Sequence, residues 1–247
     1  MIKSNLDNVK CKSKDSNRDP PIIGLNLGKN KSSEIHSVDD YILGLEKFSN
    51  HKNVDYFTIN ISSPNTPGLR SLQSGDSFSL LLDSIEQFKE SELKKCKKKP
   101  FDSQSLPKPI LIKIAPDLNQ EERKVIAREI GDRNKKMVKR NGIRLIDGII
   151  VSNTTIFGPD MDEKMKGMNG GLSGEPLKSM STELIRDMYK LTNGDITIIG
   201  VGGISTGYDA FEKIAAGSSL LQLYTSLALQ GPPVVNKIKL QLTDILR

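Results

Sequence analysis

The chain has no tryptophan, and its 247 residues include only two cysteines and two histidines. Cys11 and Cys96 lie far apart in basic, polar stretches, which argues against a disulfide scaffold or a metal knuckle and says little about redox compartment. His36 is expected beside a helix start and His51 in a polar turn; neither has a cysteine, histidine or carboxylate at ligand spacing, so no metal site is expected. No run approaches the roughly eighteen apolar residues of a membrane helix. The opening MIKSNLDNVKCKSKD is basic and polar without an apolar core, unlike a secretory signal, and it is too lysine-rich and acid-containing to match a mitochondrial presequence well.

The chain is long enough for one or two domains and a sizeable core, with 36% hydrophobic residues. A formal net charge of +6 raises the question of nucleic acid or acidic lipid. The basic residues concentrate in Lys89 to Lys108 and Arg133 to Arg144 without interleaved aromatics. They read as solvated helix ends and surface loops, and no nucleic-acid partner is expected.

Short β-branched blocks recur along the chain: Ile22 to Asn26, Val54 to Ile61, Ile110 to Ile114, Ile146 to Ser152, Ile196 to Gly200 and Ser219 to Tyr224. Between or after them lie segments of helical apolar spacing: Ser37 to Phe48, Phe78 to Lys95, Asn119 to Gly131, Ser181 to Thr192, Tyr208 to Ala216 and Pro233 to Leu246. Such alternation implies right-handed βαβ units and a parallel sheet. A closed (β/α) barrel takes eight strands, two more than are visible, whereas an open doubly wound sheet accommodates six. Polar residues follow nearly every strand, which suits a ring of loops around one site and favours an incomplete TM-free α/β architecture of the TIM (β/α)8 type, with about six of eight units. Residues 1–20 read as a flexible basic extension, 21–247 as the partial barrel, and Cys96 to Pro109 as an enlarged loop.

The strand ends carry the candidate chemistry. Val54 to Ile61 runs into Ser62-Ser63-Pro64-Asn65-Thr66-Pro67-Gly68, where two prolines stop the strand. The segment is either an ordinary turn or a reactive loop presenting Asn60, Ser62, Ser63 and Asn65. Lys113 sits in the otherwise apolar LIKIAPD, where an ammonium needs an anion or loses its proton unless it snorkels past the rim. Ser152, Asn153, Thr154 and Thr155 end another strand, and Gly170, Gly171, Ser173 and Gly174 follow. Asn26 ends the first block. IIGVGGISTG brings Gly200, Gly202 and Gly203 before a helix start, and Tyr224 and Thr225 lie one strand later, a pattern that fits a phosphate or close helix–strand packing. Amides and hydroxyls around one buried cation suit a planar ligand such as a pyrimidine or a flavin. Asp117 is expected to cap the following helix, and Met188 and Phe211 to be core.

Taken together, NISSPNTPGLRSLQ, ILIKIAPDL, VSNTT, GGLSGEPL, IIGVGGISTG and LQLYT resemble the carboxyl-terminal two thirds of class 2, quinone-linked dihydroorotate dehydrogenases, from about Pro21 to Leu246. The resemblance implies an FMN-containing (β/α) barrel that oxidises dihydroorotate to orotate in pyrimidine (UMP) biosynthesis and passes electrons to ubiquinone. By motif, Ser63 matches the catalytic base, where class 1 relatives carry cysteine. Asn60, Asn65, Asn153 and Thr154 match residues that hold the pyrimidine. Lys113 matches the residue beside the flavin N1/O2 edge, and Asn26, Asn60, Ser152, Gly174, Gly203, Tyr224 and Thr225 match FMN contacts, the last three around its phosphate. The resemblance further implies the mitochondrial inner membrane, reached through a transit sequence, an anchor, a helical quinone-tunnel domain and two barrel strands expected upstream of Pro21. On that expectation the chain is a fragment whose own activity is open. Competing readings are a non-catalytic product with a basic binding surface, and another phosphate-binding barrel enzyme in which Lys113 forms a Schiff base.

Overall fold

A computed structural model describes residue 6 and residues 21–34, 37–66, 68–73, 75–97, 106–156 and 170–247. Cys11, His36, residues 98–105 of the lysine-rich stretch and the expected extension over 1–20 lie outside the described residues, Leu6 excepted. Leu6 is buried, and its carbonyl accepts a hydrogen bond from Asn53 Nδ2 at 2.7 Å.

Six strands form one parallel sheet in sequential order: β1 (Gly24–Leu27), β2 (Tyr56–Asn60), β3 (Ile110–Ile114), β4 (Gly148–Val151), β5 (Thr197–Val201) and β6 (Leu220–Gln222). Between and after them come α1 (Asp39–Phe48), α2 (Gly75–Lys97), α3 (Gln120–Asn141), α4 (Lys178–Leu191), α5 (Gly207–Ala215), α6 (Thr225–Gln230) and α7 (Pro233–Ile245). Among the described residues β1 and β6 are free edges, so the sheet is an incomplete α/β barrel.

Alternation along each strand divides the side chains between two faces. Phe57, Ile59, Ile110, Ile112, Ile114, Ile149, Val151 and Ile198 pack outward against Leu45, Leu81, Ile85, Ile126, Ile130 and Met188 of the helices. Each such side chain contributes about 1.5–3 kcal/mol by burial, so this layer dominates the stability. Inward, Leu111, Ile150 and Ile199 form a separate small cluster with Tyr56 and Val201. Register sets Asn60 beside Lys113, and Lys113 beside Ile150, on the inner face.

Three expectations change. Arg133 to Arg144 is largely helix, because α3 runs on to Asn141 and closes on Gly142 at φ +72, whose N–H reaches Val138 O. Two of its arginines are held by α2: Arg133 pairs with Asp83, and Arg140 with Glu86. Lys89 is buried, not solvated; its ammonium bonds Asp147 Oδ2 at 2.7 Å and Arg144 O at 2.8 Å. Asn119 caps α3, in a reciprocal box with Glu122, which leaves Asp117 to other partners. The six-residue α6 had no sequence signal, being too short for a helical period.

Candidate functional site

The carboxyl ends of the strands open into a cavity of about 780 Å³. One wall comes from the segments after β2, β3 and β4. Asn60 ends β2 with its carbonyl fixed by Tyr41 Oη of α1 at 2.8 Å. Burial raises the Tyr41 phenol above its usual range, so it serves as a donor. Ser62 Oγ donates to Lys113 O at 2.8 Å, and Asn153 Nδ2 donates to Asn60 Oδ1 at 3.1 Å and Ser62 Oγ at 3.0 Å. Asn153 Oδ1 accepts from Thr154 N at 2.8 Å, so the amide orientation is fixed by its own loop. The Val151–Ser152 peptide is cis.

Behind this wall Arg70, in the 3-10 turn Leu69–Gln73, uses three of its nitrogens on three segments. Nη1 pairs with Asp117 after β3, Nη2 donates to Thr154 O after β4 at 2.9 Å, and Nε to Ser62 O after β2 at 3.3 Å. Asp117 also accepts from Thr155 Oγ1. Gln73 Oε1 takes Ala115 N at 2.7 Å. The loops that present Ser63, Lys113 and Asn153 are thus cross-linked by one planar, five-donor group.

Ser63 is partly buried and its Oγ accepts from Asn65 N at 3.3 Å. Lys113 lines the cavity, and burial lowers its pKa. Its ammonium has no hydrogen bond or ion pair among the described residues, which leaves a lone cation facing the space.

The opposite wall is backbone. Gly202 and Gly203 take φ +116 and +70, and a Cβ on Gly203 would stand 2.5 Å from Lys178 Cβ. Only glycine lets this loop lie so close to the first turn of α4. Gly174, at φ +84, faces Thr225, and Thr225 Oγ1 donates to Ser173 Oγ at 3.0 Å. At the start of α5 several amides are already engaged within the fold. Ser205 N and Thr206 N donate to Asp209 Oδ2 at 3.0 and 2.9 Å, and Gly207 N to Gln241 Oε1 at 2.8 Å. Burial works to raise the Asp209 carboxyl, but hydrogen bonds from Lys178, Ser205 and Thr206 prevail and hold it at about 2.

The cavity brings together Ser63, Asn60, Asn65, Asn153, Thr154, Lys113, Ser152, Gly174, Gly203, Tyr224 and Thr225. Asn26 stands apart. It is exposed on the free edge strand, level with Thr58 and so one inward position below Asn60. Sequence reasoning missed Arg70 and Gln73, whose partners lie tens of residues away, and Ser226. Ser226 lines the cavity with a buried hydroxyl that has no partner among the described residues. An unpaired cation, an orphaned hydroxyl and open glycine backbone around one cavity fit an elongated ligand that carries both a polar ring and an anionic group.

The fold and site define an α/β-barrel protein with its ligand cavity at the carboxyl ends of the strands. Residues 3–246 match the family model described as dihydroorotate dehydrogenase. The quinone-type mitochondrial dihydroorotate dehydrogenase of Mus musculus is 43% identical over 229 residues, covering 91% of this chain and 51% of that protein. The quinone-type enzyme of Parvibaculum lavamentivorans is 42% identical, over 89% of this chain and 55% of its own length. The crystal structure of the Eimeria tenella dihydroorotate dehydrogenase in complex with ferulenol superposes with a TM-score of 0.80 at 36% identity, covering 99% of this chain and 63% of that one. The chain belongs to the dihydroorotate dehydrogenase family, and it spans about half the length of the curated relatives it matches.

Proposed function

We propose that this chain carries the flavin- and substrate-binding part, residues 21–247, of a quinone-dependent dihydroorotate dehydrogenase, which oxidises (S)-dihydroorotate to orotate on the route to UMP. The observation that carries the reading is the juxtaposition of Asn60 and Lys113 on adjacent strands, with Ser63 on the same cavity. FMN is the cofactor this reading requires. Gly203, Tyr224 and Thr225 would hold its phosphate, and Lys113, Asn60, Ser152 and Gly174 its ring and side chain, with Asn26 of the exposed edge strand as a further contact. Bound there, FMN would supply the acceptor for the hydride from C6 of the substrate.

Asn60, Asn65, Asn153 and Thr154 present amide and hydroxyl groups to the edges of the pyrimidine ring, which itself alternates donors and acceptors. Because Asn153 is already fixed by Thr154 N and by its bonds to Asn60 and Ser62, ring binding involves little reordering of the site. Ser63 Oγ gives up its own proton to solvent in the open cavity and takes the proton from C5, ending as the neutral hydroxyl. The Asn65 N–H directed at that oxygen favours the alkoxide character it needs before the transfer. Lys113 supplies fixed positive charge at the ring edge, and its partial burial strengthens that charge's field. Ubiquinone is the electron acceptor. The mitochondrial inner membrane is the site of action, in line with the naming of the mouse relative as mitochondrial. No helix among the described residues is long and apolar enough to cross a membrane.

The test is the reductive half-reaction. The chain reconstituted with FMN should lose its flavin absorption on anaerobic addition of dihydroorotate and regain it on addition of a soluble ubiquinone. A chain that takes up no FMN, or whose flavin stays oxidised in dihydroorotate, refutes the proposal.

A further inference from the structure

Lys213 of α5 is completely buried and lies outside the cavity lining. Its ammonium is solvated only by neutral oxygens: Ser181 Oγ at 2.5 Å, Thr182 Oγ1 at 2.6 Å and Lys178 O at 2.7 Å, all in the first turn of α4. No carboxylate among the described residues lies within ion-pair distance of it. The nearby Asp209 is already engaged by Lys178 Nζ at 2.5 Å and by the amides of Ser205 and Thr206. A buried ammonium without an anionic partner is costly, and burial accordingly pushes its pKa down to about 8.

The place of this cation gives it a use. Ser181 Oγ, which accepts a hydrogen bond from Lys213 Nζ, in turn donates to Gly202 O at 3.5 Å. The glycine loop rests on the same turn, because a Cβ on Gly202 would meet Ser181 Oγ at 3.2 Å and one on Gly203 would meet Lys178. Lys213 therefore fixes the surface on which residues 202–203 lie, and it places positive charge directly behind them. Those residues form part of the cavity wall, and among the described residues their amides carry no hydrogen bond, whereas the amides of Ser205, Thr206 and Gly207 are taken.

We propose that Lys213 is a positioning residue for a ligand phosphate: it holds the Gly202–Gly203 loop against α4 and serves as the buried counter-charge of the phosphate dianion bound on the loop's other side. The inference rests on the flavin reading above and adds a residue that never touches the ligand. It separates the charge requirement from ring recognition, which lies at Lys113 on the other wall.

The test compares FMN with riboflavin, which has the same ring and lacks the phosphate, on the 247-residue chain. Lys213→Gln keeps a hydrogen-bonding end and removes the charge. It should weaken FMN binding by about tenfold or more while changing riboflavin binding less than about twofold. Ser181→Ala keeps the charge and breaks its link to Gly202; it should weaken FMN selectively by a smaller factor. Equal losses for both ligands, or no loss for either, overturn the proposal. Should Lys213→Gln not fold, Ser181→Ala alone decides by the same criterion. A native chain that binds neither ligand refutes the flavin reading itself; a native chain that binds both, with an unchanged ratio in the variants, refutes only the role of Lys213.

Discussion

The two rims of the sheet treat polar groups in opposite ways. At the amino ends of the strands the charged groups are answered within the fold, although the buried Ser218 hydroxyl has no partner among the described residues. Asp147 takes both Lys89 and the amide of Ile110, Asn134 takes the amides of Leu145 and Ile146 and donates to Ile146 O, and Asp55 takes the amide of Ile23. At the carboxyl ends, among the described residues, the Lys113 ammonium faces a cavity alone and the Ser226 hydroxyl has no partner. Two lysines on one barrel therefore mean different things. The paired one secures helix to sheet, and the unpaired one carries a cost that only a ligand offsets.

Substitutions at the open rim test this contrast most sharply. Ser63→Ala should slow flavin reduction by dihydroorotate by about 10²–10⁴-fold while FMN affinity and thermal midpoint stay unchanged; stopped-flow absorbance and a melting curve read both. The lysines come next. Lys89→Met strands Asp147 and should cost about 3 kcal/mol in urea unfolding, whereas Lys113→Met should leave the ligand-free chain as stable or more so and weaken FMN. If Lys113→Met proves the more destabilising, the division between the rims is wrong. Arg70→Lys cannot serve three segments at once, and we expect flavin reduction to fall about tenfold with little change in FMN affinity.

The smallest effect is in pH. Burial holds Lys89, Lys113 and Lys213 below their ordinary value of 10.5, with Lys213 at about 8. Between the folded value and 10.5 the unfolded chain binds more protons, so stability rises with pH in that window. Urea midpoints taken at its two ends should show the gain in the ligand-free chain, and Lys213→Gln should reduce it.

Much of this was legible in sequence because strand and helix periods repeat without interruption. All six strands overlap the β-branched blocks, and β3 coincides with Ile110 to Ile114. The cavity residues were found where local chemistry contradicted local pattern, as with a lysine among isoleucines or prolines directly after a strand. What stayed hidden depends on partners distant in sequence. Arg70 meets Asp117 and Thr154 across 47 and 84 residues, and nothing beside it announces either. Lys89 looked solvated because its sequence neighbours are charged, yet its partner Asp147 lies 58 residues on. Asn26 stands outside the cavity lining for the converse reason: its motif is local, but the wall it would join depends on what stands beside β1.

The register of β3 has a further consequence. Ile110, Ile112 and Ile114 point outward and are fully buried, and a one-residue slip would drive all three into the cavity and Lys113 into the helices. The aim of the cation is thus inherited from its greasy neighbours. Loops around the rim can be rewritten by mutation and drift, but the charge on this wall changes direction only if the packing of the whole sheet is given up with it.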